Sequence, residues 1–385
     1  MMTFNKKNIT FLFSMVISVV CLWLFMRHIE WSLLKKALME ANYWFVIPTT
    51  ILNLVVYLIR AIRWKGLLAH IKMIPVLNLL SITCIGFMAN NVLPARVGEV
   101  LRPFLLYKRE SIKFSTSMAT VIVERIFDML GLIIFAAVII ALLPDYSGHI
   151  HHSFSPVAAQ ETTDFGESVI LSLKKWTEVF AVAGILMIIT LFLIVTKPDF
   201  FKKILAKLTF FLSHTLKDKI FAFYDSFVHG LKILENRTET FTMLGYTLLI
   251  WIICGAEIYF LGFSFHMQLP FVGACLVAIC LALAIALPQA PGFIGVFHIA
   301  ILKSLDIFGI HTSAAQSYAI VLWVISVFPI TIMGFFFLWK EGITFHEVVR
   351  LEEEIVDGKL EELEGIPKDT DATEPQILRA PSDAP

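Results

Sequence analysis

The stretch NNVLPARVGEVLRP, residues 90–103, interrupts an apolar run with prolines, a glycine and three charges, Arg96, Glu99 and Arg102. A second string, TVIVERIFDMLGL at 120–132, sets Glu124, Arg125 and Asp128 among residues apolar enough for a membrane interior. An ionisable group at membrane depth costs about 2.5–3.5 kcal/mol on insertion scales, so such groups are rare, paired and functional. If the chain after Pro94 is helical, Arg96, Glu99 and Arg102 fall at i, i+3 and i+6 on one face. Glu124 and Asp128 share a face of the next helix, with Arg125 beside them. These six charges sum to zero, as in a network that neutralises itself when empty. They predict a polar site inside a membrane protein.

Composition fixes the class. The 385 residues are 58% hydrophobic and 16% charged, with 34 Phe. Mean hydropathy is +0.79, which excludes an ordinary soluble protein. Apolar runs of about 20 residues, the length that crosses a bilayer, lie at 9–26, 44–62, 117–143, 177–195, 241–262 and 314–338. Stretches 76–93, 271–287 and 293–305 are shorter and interrupted by Pro and Gly. The expected fold is all-α and polytopic, with about six spanning helices and two re-entrant helical hairpins. Lys6 and Lys7 precede a first run too long for a cleaved leader, which predicts a retained signal anchor. Cys21, Cys84, Cys254, Cys275 and Cys280 show no paired spacing and read as small apolar-core residues.

Charge sets the expected orientation. From Glu341 onward the chain holds 13 acidic and 4 basic residues, leaving 18 acids and 27 bases before it. Segment 197–239 holds eight Lys/Arg, whereas 144–175 holds two beside four acids, so the former should face the cytoplasm. Arg60, Arg63, Lys65 and Lys72 mark a second inside loop, and Lys108, Arg109 and Lys113 a third. Both flank 76–93 on one side, so that segment should enter and return, turning near Leu93-Pro94. The segment 271–305, broken by LPQAPGFIG at 287–295, should do the same from the opposite face. Two such elements predict an inverted repeat within a 1–340 membrane domain, with halves at about 44–143 and 240–339. Residues 341–385 form an acidic, partly disordered cytoplasmic tail.

Taken in order, LPARVGEVLRP, a spanning helix carrying ER-x-x-D, and P-x-x-P-G-x-x-G resemble the flippase-like transmembrane domain family. That family includes the membrane portion of lysylphosphatidylglycerol synthases and stand-alone relatives. The resemblance covers about residues 5–341. It implies a polytopic inner-membrane protein of bacterial or archaeal type that binds or moves a lipid. By motif it maps a central charged cavity onto Arg96, Gly98, Glu99, Arg102, Glu124, Arg125 and Asp128. Asn91, Pro94 and Gly98 form the first turn, and Pro288, Pro291, Gly292 and Gly295 the second. Family members often carry Glu three residues after the last Gly, where this chain has His298. The synthase's soluble transfer domain is expected to be absent, since about 45 residues follow the last span.

Each signal has a plainer reading. Arg102, near Lys108, suits a side chain that snorkels to cytoplasmic headgroups. Glu257, alone in WIICGAEIYFLGF, is either a buried carboxyl bonded to a neighbour or a second cavity acid. Lys303 reads as interfacial. His149, His151 and His152 have no companion ligands at fixed spacing and read as a solvated loop. The sequence carries no HExxH, P-loop or GxSxG motif. No cofactor, metal, nucleic-acid partner or nucleotide-driven chemistry is expected. The leading expectation is a lipid transporter binding an anionic headgroup. The alternatives are an intramembrane enzyme on lipid-linked substrates, or a lipid-binding subunit beside envelope or lipid biosynthesis proteins.

Overall fold

The computed structural model describes residues 15–16, 19–26, 31–93, 96–143, 197–210, 236–286 and 290–349, with scattered positions between 186 and 228. All secondary structure among them is helical. After an amphipathic helix α1 (Trp31–Glu40) come α2 (Val46–Leu68), α3 (Val76–Val92), α4 (Gly98–Glu110) and α5 (Phe114–Leu142). A short amphipathic α6 (Pro198–Leu208) separates these from α7 (Arg237–Ser264), α8 (Phe271–Ala286), α9 (Val296–Asp306) and α10 (Thr312–Lys340). Four helices among the described residues are long and apolar enough to cross a membrane, namely α2, α5, α7 and α10. The run at 177–195 falls largely outside the described residues and that at 9–26 in part, while the 144–175 segment with its three His, Pro94, Pro288 and the tail beyond 349 lie outside them.

Length separates the two helix types. α5 and α10 have 29 residues each, about 43 Å at ~1.5 Å per residue. α3 and α8 have 17 and 16 residues, about 25 Å, short of a ~30 Å hydrocarbon core. Each short helix is followed by a turn and another short helix. The order long, short, short, long therefore occurs twice. Packing repeats with it: α2 lies on α3 as α7 lies on α8, α3 on α4 as α8 on α9, and α4 on α5 as α9 on α10. Between halves, α5 meets α7 and α8 as α10 meets α2 and α3, while α2 and α7 pack directly on each other.

Local chemistry shapes the turns. At the first, Asn90 Oδ1 accepts the Gly98 backbone N–H at 2.8 Å, capping α4 across the break. A Cβ on Gly98 would overlap the Gly86 carbonyl oxygen, so α3 and α4 approach closely only because both positions are glycine. At the second, Pro291 opens a short 3₁₀ turn and Gly292 and Gly295 take left-handed φ of 69° and 84°. The two tips are fastened to the last long helix. Asn91 Nδ2 donates to Thr331 Oγ1 at 3.0 Å, and Trp323 Nε1 donates to the Gly292 carbonyl at 2.7 Å. The second turn also packs on α3, so residues some 200 positions apart meet. Two buried apolar clusters flank this junction, one around Trp64, Ile82 and Leu101, the other around Cys275, Ile301 and Tyr318.

Candidate functional site

The charged residues converge on a cavity of about 360 Å³ between the two hairpins and α2, α5, α7 and α10. Glu124 on α5 is fully buried and pairs with Arg102 Nη2 at 2.9 Å, Arg125 Nη2 at 3.0 Å and Arg63 Nη2 at 3.2 Å. One turn along α5, Asp128 pairs with Arg63 Nη1 at 2.5 Å, Arg125 Nη2 at 3.3 Å and Arg60 Nη1 at 3.4 Å. Arg63 Nη1 also donates to Thr247 Oγ1 on α7 at 2.7 Å. The Arg102 guanidinium lies over the Trp64 ring, 4.2 Å from its centroid. Such stacking suits a planar, weakly hydrated cation, and is worth about 2 kcal/mol once water is excluded.

Several sequence expectations change. Arg60 and Arg63 are not loop residues. The helix runs through RAIRWKGLL to Leu68, and Arg63 is fully buried because two carboxylates and a hydroxyl receive its guanidinium. Lys65, Lys72, Lys108, Arg109 and Lys113 remain to mark that side. Arg102 does not snorkel: it is 2% exposed and bidentate on Glu124. Arg96 does not share a helical face with Glu99 and Arg102, since α4 starts at Gly98 and Arg96 sits in the turn at φ 55°. From there its guanidinium donates to the Ile285 carbonyl near the end of α8. The charge sum changes as well. Five arginines (60, 63, 96, 102, 125) gather against Glu99, Glu124, Asp128 and Glu257, a formal excess of one positive charge. Glu99 lines the cavity, and no ion pair engages it among the described residues.

The secondary candidates divide. Glu257 lines the same cavity, is 6% exposed, and accepts from Asn53 Nδ2 at 2.9 Å. His298 is buried elsewhere, its ring among Phe25 at 5.0 Å, Trp323 at 5.6 Å and Phe297 at 6.0 Å. The aromatic wall keeps it away from the ion network, and it does not line the cavity. Lys303 pairs with Asp306 at 3.6 Å on an exposed surface. No cluster of three or more His, Cys, Asp or Glu suited to a metal occurs among the described residues.

What the arrangement can do chemically follows from what it leaves open. Arg102 Nε and Arg125 Nε are buried donors without a partner among the described residues. Guanidinium groups present paired donors that match carboxylate and phosphate oxygens. A largely buried surplus of such donors favours an anion.

Helices of spanning length around a buried ion network define a polytopic α-helical membrane protein. The chain belongs to the family of the lysylphosphatidylglycerol synthase TM region, which matches residues 11–334. It is similar to the UPF0104 membrane protein MJ1078 of Methanocaldococcus jannaschii, at 25% identity over 64% of this chain and 90% of that one. It is also similar to the glycosyltransferase AglD of Haloferax volcanii, at 24% identity over 82% of this chain and 52% of that one. A third relative, the UPF0104 membrane protein MJ1595 of M. jannaschii, is 30% identical over 30% of this chain and 35% of its own length. No solved structure matches.

Proposed function

We propose that this protein binds a membrane lipid by an anionic, phosphate-bearing headgroup and carries it between the leaflets of a cytoplasmic membrane. The observation that carries this reading is the excess of arginines over carboxylates in and around a half-open cavity between the helices. A bare surplus of positive charge inside a membrane is costly, and an anion relieves it. Arg96, Arg102 and Arg125 would hold the phosphate, while Glu124 and Asp128 fix the guanidinium planes. The twofold pattern of packing supports alternating exposure of the cavity, with the two hairpins re-entering from opposite faces as an inverted repeat. The excess of Lys and Arg in 197–239 supports cytoplasmic termini. Proteins that make or consume lipid-linked envelope precursors are the natural partners.

The name of AglD raises glycosyl transfer as a second activity, but this chain spans only about half of that protein's length. The deciding test is purified protein in liposomes with fluorescent lipids of defined headgroup. Movement of phosphate-bearing lipid in wild type, lost in Arg125→Ala, is the expected result. Equal movement with and without protein would sink the transport reading.

A further inference from the structure

The cavity has a second polar wall, opposite the ion network. Asn53 on α2 and Glu257 on α7 are each 6% exposed and joined by the Asn53 Nδ2 bond to Glu257 Oε1 at 2.9 Å. That bond leaves Asn53 Oδ1, a buried acceptor, without a partner among the described residues. Trp251 Nε1, a buried donor on the same stretch of α7, also has none among them. All three residues line the cavity. The Trp251 indole stacks on Phe135 with ring centroids 6.5 Å apart and planes 21° apart, so it is held in place. Asn53 lies seven residues before Arg60 on one helix, about 10 Å along its axis. The two walls are thus ends of one chamber, separated by the length of a small polar group.

Unmet buried donors and acceptors are costly, so native proteins rarely leave them. A ligand that completes this wall must accept from the indole N–H and donate to the amide oxygen and the carboxyl. A hydroxyl does both. An ammonium only donates, and would leave the indole N–H empty. An acyl chain would leave every one of these groups empty.

We propose that Asn53, Trp251 and Glu257 form a subsite for a polyhydroxylated group, so that the lipid carried is a glycosyl phosphate and not a lipid with a bare phosphate. This rests on the phosphate reading of the arginine cluster. The sugar hydroxyls would sit between the indole N–H and the Asn53–Glu257 pair while the phosphate engages Arg96 and Arg125.

The test uses full-length protein in nanodiscs and three probes sharing one short isoprenoid: citronellyl phosphate, citronellyl phosphoglucose and citronellyl phosphoethanolamine. Titration calorimetry on wild type should give about tenfold tighter binding of the phosphoglucose than of the bare phosphate, the size of one or two added hydrogen bonds. Trp251→Phe, which keeps the ring and removes only the N–H, should lose most of that gain and keep the affinity for citronellyl phosphate. Asn53→Leu should do the same, and Trp251→Phe serves alone if Asn53→Leu does not fold. Equal affinity of wild type for phosphate and phosphoglucose would overturn the subsite and leave the anion site standing. So would a gain for the phosphoethanolamine abolished by Glu257→Gln, which would make the wall an ammonium site. Failure of all three phosphates to bind would defeat the arginine reading and this one with it.

Discussion

Arg63 on α2 donates to Thr247 on α7 at 2.7 Å, and the same nitrogen holds Asp128 on α5 at 2.5 Å. One guanidinium thereby joins the first half of the molecule to the second within the buried ion network. A Cβ on Gly131 would collide with the Thr247 methyl, so even the approach of α5 to this junction depends on a missing side chain.

Removing Arg63 leaves Glu124 and Asp128 short of a buried partner, a change that typically costs about 3–5 kcal/mol. Arg63→Leu should sharply lower folded yield and the melting temperature in detergent. Lys202→Ala breaks an exposed pair with Asp225 at 2.9 Å and should cost about 0–1 kcal/mol. Indistinguishable heat-challenge size-exclusion profiles for the two variants would remove Arg63 from the centre of the network.

Arg96 reaches the Ile285 carbonyl from the first turn while facing the cavity. Arg96→Lys keeps the charge and loses the planar pair of donors. Lipid transport should fall at least about tenfold, equivalent to ~1.4 kcal/mol, with little change in melting temperature. Full transport by this variant would show that charge alone suffices there.

Gly98→Ala places a methyl against the Gly86 carbonyl, and backbone must move to accept it. Gly245 has nothing within 4 Å of the added Cβ. Folded yield should drop severely for Gly98→Ala and hold or improve slightly for Gly245→Ala, since alanine favours helix by about 1 kcal/mol. Matching yields would mean that α3 and α4 do not cross so closely.

At the base of the first hairpin, Glu110 receives the Lys72 ammonium at 2.8 Å. That bond, with help from Asn78, holds its carboxyl below the usual carboxylate range. A depressed carboxyl stabilises the fold above its unfolded pKa and loses that contribution as pH falls through the folded value. The stability gap between wild type and Lys72→Gln should therefore be present at neutral pH and close on acidification. A gap of constant size down through the carboxylate range would assign the effect to packing.

Orientation is tested by single cysteines in a cysteine-free background. A cysteine at Lys207 should resist an impermeant reagent applied to intact cells and react after permeabilisation. Labelling from outside would reverse the orientation and with it the assignment of hairpin faces.

The long helices were legible from apolar runs alone: 117–143 and 314–338 became Phe114–Leu142 and Thr312–Lys340. The chain breaks were legible because Pro and Gly cluster there, whereas a lone Pro103 or Pro329 leaves its helix continuous. Arg60 and Arg63 escaped notice because a window of hydropathy ends a span at the first charges and takes them for loop. A better signal was present. Asn53, Tyr57, Arg60 and Trp64 recur at helical spacing, a polar and aromatic stripe that continues past the end of the apolar run. The link from Asn53 to Glu257, 204 residues apart, has no trace in local sequence. Only the direct packing of α2 on α7 creates it.

The repeated packing of the two halves does not extend to their chemistry. Every arginine of the cluster comes from α2, the first turn, α4 or α5, whereas the second half supplies a threonine, a carbonyl, an indole and one carboxyl. A rocking motion that exchanges the postures of the halves would thus leave the positive charge riding on one of them. Any bound phosphate would travel with the first half, and the second would act as the sliding wall past which it is exposed.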